Sequence, residues 1–240
     1  VGGLVGFNGG GSGKGTASIS SSFAAASVTG AGSQVGGLVG YNLGENGDTA
    51  TISNSYATGS VSGFSNVGGL LGQNQVLGTG KASVTNSYAA GSMNGSSPVG
   101  GLVGLSGGGA TSNGYWNTET SGSEQGLNDV QMRTAGSLLG LGFTATPGAA
   151  GWVIVDNDGT LNNANGADGA TYPMLAWEYS TEIVNVHQLQ LMAMNPATAY
   201  TLNANVDASG TAGGGVWGKS GFAPVGGYSV PFTGSFNGQG

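Results

Sequence analysis

The sequence predicts an all-β chain whose strands wind into a parallel β-helix (β-solenoid), with short helical and loop excursions. The hexapeptide VGGLVG begins at Val1, Val35 and Val99 and recurs as VGGLLG at Val67, in steps of 34, 32 and 32 residues. Self-similarity at such a period indicates supersecondary units that bury their apolar faces against one another. A second segment follows each copy and alternates as a half-buried strand does, which favours stacked β coils.

The second segment places three columns of residues on one face of a strand. The copies align on an aromatic residue, on the residue two positions earlier and on the residue four positions earlier. These columns are Phe23, Tyr56, Tyr88 and Tyr115; Ser21, Asn54, Asn86 and Asn113; and Ile19, Ile52, Val84 and Thr111. Side chains two residues apart share a face of a strand, so we expect all three columns to point inward. We predict stacked rings and a hydrogen-bonded ladder between Asn54 and Asn86.

The opposite face of this segment carries small hydroxyl side chains. Its members in the second and third repeats are Thr51, Ser53, Ser55, Ser83, Thr85 and Ser87, and Ser18, Ser20 and Ser22 precede them in the first. We expect them to point outward. They are candidate ligand residues for a polysaccharide or for an ordered lattice such as ice, and the alternative is a face that only keeps the rod soluble. Tyr41, Trp217 and Tyr228 are candidate platforms for sugar stacking if they are exposed.

Composition narrows the classes of partner. Charged residues make up only 6% of the chain, and its four basic residues, Lys14, Lys81, Arg133 and Lys219, leave a net charge of −7. So few bases argue against nucleic acid and anionic membranes as partners. No apolar run reaches the length of a membrane span. The absence of cysteine excludes disulfides and fits an exported bacterial protein, and both ends suggest a piece of a longer polypeptide without a signal peptide.

The regular repeat predicts three regions. Residues 1–115 form the repeat coils, residues 116–179 form an excursion packed on the rod, and residues 180–240 begin with a short helix before coils resume. We expect the excursion to contain a helix over 127–139, a strand followed by an acidic turn over 151–159, an extended segment over 172–178 and a core of Trp116, Trp152 and Trp177. In the last region we expect a helix near 182–195 and a strand from Tyr200 to Val206, with Phe232 and Phe236 on one face further on.

The turn DNDG at 156–159 resembles the start of a calcium loop. Asp156 and Asp158 are therefore candidate calcium ligands. However, Thr160 occupies the next ligand position and Leu161 replaces the required glycine, so an Asx turn without metal is the alternative. No other cofactor is expected.

Three further patterns have a catalytic or nucleotide-binding interpretation that the sequence does not favour. Glu119 with Glu124, or Asp156 with Asp158, could supply the carboxylate pair of a glycosidase, but acids are sparse and lie in the excursion. His187 is the only histidine, which leaves a metal site or a catalytic triad unsupported. The segment GGGSGKGT (9–16) has Gly15 where a phosphate-binding loop needs Ser or Thr, and a strand is expected after it.

The VGGLVG copies, together with NSYATGSV and NSYAAGSM, resemble the GLUG motif of large secreted bacterial adhesins related to filamentous haemagglutinin. The segments YWNTETSG, YPMLAWE and YTLNANVDASGT resemble the connectors between such arrays. The resemblance implies a right-handed parallel β-helix at the cell surface or in the extracellular matrix. It also implies adhesion or a role in biofilm, through extracellular polysaccharide, a neighbouring cell or self-association. It supplies no catalytic residue. The alternatives are a carbohydrate-active β-helix lyase or hydrolase and an ice-binding or lattice-binding module.

Overall fold

Strands predominate in the computed structural model, which describes residues 1–11, 14–161 and 169–239. The prediction of an all-β chain is confirmed. The chain forms two compact units, Val1–Asn128 and Asp129–Gly240. The three regions expected from the repeat remain predictions.

Apart from an isolated antiparallel bridge between Gln75 and Gly108, the first unit consists of strands that pair with one another in parallel. In chain order these are β1 (Val5–Gly9), β2 (Thr16–Ser20), β3 (Phe23–Ala24), β4 (Val28–Thr29), β5 (Ser33–Gly36), β6 (Val39–Glu45), β7 (Thr49–Ser53), β8 (Tyr56–Ala57), β9 (Val61–Ser62), β10 (Ser65–Gly68), β11 (Leu71–Leu77), β12 (Lys81–Ala89), β13 (Met93–Asn94), β14 (Val99–Gly100), β15 (Val103–Gly107) and β16 (Ala110–Trp116). A short helix, α1 (Thr118–Ser121), follows them.

Each strand of the first unit pairs with the equivalent strand of the next repeat. The sheets are β1-β6-β11-β15, β5-β10-β14, β4-β9-β13, and a curled sheet that joins β2, β7, β12 and β16 with β3 and β8. Val39 pairs with Leu71, and Ile52 pairs with Val84. The residues of each pair are 32 positions apart in the sequence, as are the hydrogen-bonded Asn42 and Asn74. The structural register is therefore the repeat period of the sequence.

The interior of the first unit is a column of aliphatic side chains. The central cluster combines the fourth and fifth positions of the hexapeptide with a β-branched position and an alanine position of the second segment. Its members are Leu38, Leu70 and Leu102; Val39 and Leu71; Ile19, Ile52 and Val84; and Ala24, Ala57 and Ala89. A smaller, separate cluster contains Val28, Val35, Val61 and Val67. Burial of such side chains supplies most of the favourable free energy of folding.

The second position of the hexapeptide is glycine because backbones meet there. A Cβ added at Gly68 would lie 2.0 Å from the carbonyl oxygen of Leu71 and 2.5 Å from the backbone nitrogen of Gly104. At Gly36 the corresponding distances to Val39 and Gly72 are 2.0 and 2.6 Å. Any larger residue would push neighbouring repeats apart.

The alternation of the second segment changes phase at its asparagine. Asn54 and Asn86 have φ of 46° and 47°, in the left-handed region, and the equivalent Ser21 and Asn113 have the same conformation. This conformation rotates the following residues relative to a continuous strand, so Ser55 and Ser87 turn inward and have no exposed surface. The prediction that Ser55 and Ser87 face outward is wrong.

The second unit contains few regular elements. Its helices are α2 (Asp129–Met132) and α3 (Val186–Leu191), and its 3-10 turns are Ala135–Ser137, Ala176–Glu178, Met192–Met194, Ser209–Ala212 and Gly215–Trp217. Strands β17 (Trp152–Val153) and β18 (Met174–Leu175) pair antiparallel. Strands β19 (Glu182–Ile183), β20 (Ala199–Leu202) and β21 (Ser235–Asn237) form a parallel sheet with β20 in the centre.

The expected elements of the second unit occur in shortened form. The helix predicted over 127–139 is α2 followed by a 3-10 turn, and the helix predicted near 182–195 is α3 extended by Met192–Met194. Asn185 begins α3, because its side chain accepts a hydrogen bond from the backbone of Gln188 at 3.0 Å. Strands β17 and β20 are likewise shorter than predicted.

The predicted tryptophan core is wrong. Trp152 is fully buried, whereas 44% of Trp177 is exposed. Trp116 packs instead against the aliphatic cluster of the first unit. Trp177 occupies a 3-10 turn in which its neighbours Ala176 and Glu178 are the buried residues. The second unit also buries Trp217, which is only 2% exposed.

Candidate functional site

The hydroxyl side chains of the second segment divide into an outer and an inner set. Thr51 lies opposite Ser83, and Ser53 lies opposite Thr85, and all four are half-buried on the outer side of β7 and β12. These four remain candidate ligand residues. Their spacing along the sheet is the distance between neighbouring strands, about 4.8 Å.

The inner set joins consecutive repeats. The hydroxyl of Ser55 donates to the carbonyl of Ser53 at 2.7 Å and accepts from the backbone nitrogen of Ser22 at 3.2 Å. Ser87 does the same one repeat later, donating to Thr85 and accepting from the backbone of Ser55. Ser55 and Ser87 therefore hold the fold together and offer nothing to a ligand.

A column of buried amides runs through the first unit and was not predicted. Asn8 donates to Asn42 at 2.7 Å, and Asn42 donates to Asn74 at 2.9 Å. Asn42 and Asn74 also donate to the backbone carbonyls of Ala50 and Ala110, at 3.2 and 3.1 Å. The column ends in the fourth repeat, where Ser106 stands in register with Asn74. The sequence signal is an asparagine seven residues after Val1, Val35 and Val67.

The predicted ladder at the other asparagines also exists, but it lies at the surface. Asn86 donates to Asn54 at 3.4 Å, and Asn113 donates to Asn86 at 2.9 Å. Asn54 and Asn86 are half-buried, and Asn113 is exposed. The ladder is confirmed, and its inward position is wrong.

The predicted stack of aromatic rings is confirmed inside the first unit. The rings of Tyr56 and Tyr88 are parallel within 2°, with centroids 5.0 Å apart. Phe23 continues the stack on Tyr56 at 5.1 Å and 8°. Tyr56 and Tyr88 have no exposed surface, so this column stabilises the coil and does not bind a ligand.

A different set of aromatic and amide side chains lies on the sheet β1-β6-β11-β15. Phe7, Tyr41, Gln73 and Leu105 are opposite one another in consecutive strands, and we refer to these four residues as the aromatic–amide column. Phe7 is 56% exposed, Leu105 is 36% exposed and Tyr41 is half-buried. Of the three proposed stacking platforms, Tyr41 and the exposed Tyr228 are accessible, whereas Trp217 is buried and cannot stack with a sugar.

The DNDG turn is closed by its own residues. Asp158 accepts hydrogen bonds from the backbone nitrogen and the hydroxyl of Thr160, at 3.0 and 2.6 Å. The Thr160 hydroxyl first, and then its backbone, lower the pKa of Asp158. Asp156 is buried, while Asp158 is exposed. Within the described ranges, no three His, Cys, Asp or Glu side chains come together as metal ligands would.

The structure also places the two glutamates proposed as a carboxylate pair and the glycine-rich segment 9–16. Glu119 and Glu124 are both exposed. In the segment 9–16, Ser12 and Gly13 lie outside the described residues, and the strand β2 follows at Thr16 where a phosphate-binding loop would open a helix.

His187 belongs to a buried polar cluster of the second unit. Its Nδ1 lies 2.6 Å from Oε2 of Glu178, and its ring contacts the ring of Trp217 edge-on at 5.3 Å. The other oxygen of Glu178 accepts from the backbone of Leu175 at 3.0 Å. The Trp217 indole donates to Gln190 at 3.0 Å. The cluster fixes α3 against the turn Ala176–Glu178.

A second buried cluster joins α2 to the segment around Tyr172, and no pattern in the sequence predicts it. Arg133 donates to Asp129 at 2.6 Å and to the carbonyl of Gly169 at 2.8 Å. Arg133 also bonds the hydroxyl of Ser220, and Tyr172 donates to the other oxygen of Asp129. Because these groups satisfy one another, the cluster is a structural ion pair.

Comparison with known proteins identifies one motif. The family model of the GLUG motif matches residues 31–62, which contain β5 to β9 of the second repeat. No curated protein and no solved structure matches the chain significantly. No helix among the described residues is long and apolar enough to cross a membrane. The chain thus carries a GLUG motif, which occurs in adhesin-like repeat proteins.

Proposed function

We propose that the first unit is a stretch of right-handed parallel β-helix that serves as a rigid, non-enzymatic segment of a secreted bacterial surface adhesin. The single observation that carries the proposal is the register, in which each repeat pairs in parallel with the next at a separation close to the sequence period, 34 residues between Val5 and Val39 and 32 between Val39 and Leu71. Parallel crossovers within one sheet are right-handed in nearly all proteins, which supports the handedness. The GLUG motif at 31–62 supports the adhesin context.

The proposed mechanism is mechanical. Each repeat contacts its neighbours through backbone ladders, the amides of Asn8, Asn42 and Asn74, and the rings of Phe23, Tyr56 and Tyr88. A repeat array of this kind has a stability that is close to a sum over neighbouring interfaces. Load along the axis is then shared between many equivalent contacts.

The segment would act at the cell surface or in the extracellular matrix. Its partners would be extracellular polysaccharide, a neighbouring or host cell, or other copies of the adhesin. The low charge, 6% of residues, supports uncharged partners over nucleic acid or anionic membranes. The half-buried hydroxyls of Thr51, Ser53, Ser83 and Thr85 are one surface that could meet such a partner.

Pulling on single molecules of the full chain tests the proposal. A stacked array should release its repeats one at a time, and each repeat of 32 residues should add about 110 Å of extended chain. Asn42→Ala should lower the force of the release that involves its repeat, whereas Asn94→Ala, at an exposed position, should not. Unfolding at low force without repeated increments would contradict the stalk. Cleavage of a polysaccharide by the purified chain would contradict the non-enzymatic role.

A further inference from the structure

The aromatic–amide column differs from the other outer surfaces of the first unit in its chemistry. The sheet that contains β7 and β12 presents hydroxyls, whereas this sheet presents a phenyl ring, a phenol and a leucine in register with the buried amide of Gln73. Leu43 and Gln75 lie opposite each other two residues further along the strands. Exposed apolar surface that adjoins fixed polar groups marks an interaction site more often than a scattered exposed leucine does.

The ring of Phe7 lies low over its own strand. A Cβ added at Gly9 would be 2.7 Å from Cε1 of Phe7, so the ring occupies space that is open only because residue 9 is glycine. The edge of this ring meets Tyr41 with centroids 5.6 Å apart and an angle of 68°. Two aromatic rings on neighbouring strands therefore form one platform, of which Phe7 exposes more than half its surface.

The amides beside the platform are held in place by one another. The Gln73 side chain accepts from Gln34 at 2.9 Å and from Asn66 at 3.2 Å, and it donates to Gln75 at 2.9 Å. Gln75 in turn donates to the carbonyl of Gly107 at 2.9 Å. The network holds the half-buried amides of Gln34, Asn66 and Gln75 in fixed positions around the buried Gln73, which lowers the entropic cost of binding a polar ligand.

Tyr41 adds a hydrogen-bond donor to the platform. Burial, and secondly the charge of Glu45, raise the pKa of Tyr41, so its phenol stays protonated at physiological pH. No hydrogen bond to this hydroxyl occurs within the described parts of the chain. Glu45 follows on the same strand and is exposed.

We propose that the aromatic–amide column binds a neutral polysaccharide, with sugar rings on Phe7 and Tyr41 and sugar hydroxyls on the phenol and the neighbouring amides. The proposal deepens the adhesive role proposed above and rests on it. A sugar ring has both C–H faces and hydroxyls, and the column likewise places exposed apolar groups beside the phenol of Tyr41 and the neighbouring amides. The column and its flanking pair contain no basic residue, and Glu45 is the nearby acid, so an anionic polymer is disfavoured.

The test uses the full chain on a glycan array that carries neutral polysaccharides (cellulose, mannan, galactan, chitin and β-glucans) and anionic ones (alginate, hyaluronan and heparin). The best neutral glycan is then titrated against three proteins: the parent chain, Phe7→Ser with Tyr41→Ser, and Thr51→Val with Thr85→Val. The last variant changes the hydroxyl face and serves as the matched control. We expect binding to a neutral glycan that weakens at least about tenfold in the aromatic variant only.

Several results would overturn the proposal. These are binding to anionic glycans alone, loss of binding in the hydroxyl-face variant but not in the aromatic variant, and no binding to any glycan. Formation of a dimer that the aromatic substitutions dissociate would assign the face to a second copy and would also overturn it. The melting temperature of each variant shows whether a loss of binding reflects unfolding. Failure here leaves the stepwise release of repeats under force intact, so the two proposals are tested separately.

Discussion

The side-chain amide of Asn42 donates to that of Asn74 at 2.9 Å, and neither residue has exposed surface. A buried amide without a partner is costly, and this column avoids the cost because each repeat supplies the partner of the one before it. The pairing works only when the repeats are in register, since a shift by one residue would leave every amide unpaired. The column therefore favours one alignment of the repeats over alignments shifted by a residue.

Replacement of Asn42 by leucine should destabilise the first unit by about 3 kcal/mol. The change removes the donor to Asn74 and to the carbonyl of Ala50 and the acceptor for Asn8, and each buried group left unpaired costs roughly 1–3 kcal/mol. Urea unfolding followed by circular dichroism measures the loss. Asn94→Leu, at an exposed position, is the control, and equal midpoints for the two variants would refute the role of the column.

The glycines of the hexapeptide should differ sharply in their tolerance of a methyl group. Gly68→Ala places a Cβ 2.0 Å from the carbonyl oxygen of Leu71 in the same repeat and 2.5 Å from the backbone nitrogen of Gly104 in the next, so the repeats must separate or the unit must unfold. Gly6→Ala meets no atom within 4 Å and should change the stability by less than about 0.5 kcal/mol. Thermal unfolding of both variants checks the difference. A stable Gly68→Ala protein would contradict the close approach of neighbouring backbones.

The internal ring stack should contribute through its packing. Tyr88→Ala removes a fully buried ring that stacks on Tyr56 and should lower the free energy of unfolding by about 3–5 kcal/mol. Tyr88→Phe keeps the ring and should retain most of that stability. The same unfolding assay separates the two, and an equal loss in both variants would assign the effect to the hydroxyl.

The ion pair of the second unit should be sensitive to the loss of either partner. Arg133→Leu leaves the buried carboxylate of Asp129 with the hydroxyl of Tyr172 but without its cation, which costs about 3–5 kcal/mol when a buried pair is broken. The double variant Arg133→Leu with Asp129→Leu removes the uncompensated charge and should recover part of the loss. A double-mutant cycle measures this coupling. Additive effects of the two single changes would contradict it.

The sequence predicted the register of the first unit because the repeat itself is the register. It also predicted the stack of Phe23, Tyr56 and Tyr88, since one face of a strand collects residues at a spacing of two. The spacing argument failed beyond Asn54, because a single residue in the left-handed region changes which side the next residues face. Asparagine tolerates that conformation better than most residues, so its recurrence at this position was the available signal.

The aromatic–amide column was missed for a different reason, because Phe7, Tyr41, Gln73 and Leu105 differ in type and show no common pattern just after the hexapeptide. Their relation comes from the pairing of strands β1, β6, β11 and β15 rather than from similarity. The amide column beside it did have a signal, the recurring Asn8, Asn42 and Asn74, but the spacing alone did not show that these side chains are buried. In the second unit no repeat supplies a register, so the contacts of Arg133 with Asp129 and of His187 with Glu178 required the structure.

The DNDG turn should resist acid less when Thr160 loses its hydroxyl. The hydrogen bonds from Thr160 lower the pKa of Asp158 below its ordinary value of 3.8, so they stabilise the folded state fully above that value. This contribution is lost as the pH falls through the lowered pKa. Thr160→Val removes the hydroxyl but keeps the backbone donor, and should move the Asp158 pKa upward, toward its ordinary value. Carboxyl chemical shifts measured by NMR between pH 2 and pH 6 follow the titration.

Asp207, which takes its hydrogen bonds from Ser209, is the internal control, and its pKa should not change in the Thr160 variant. An unchanged Asp158 titration would show that the threonine hydroxyl does not bond the carboxylate in solution, and the turn would then be open to another ligand such as calcium.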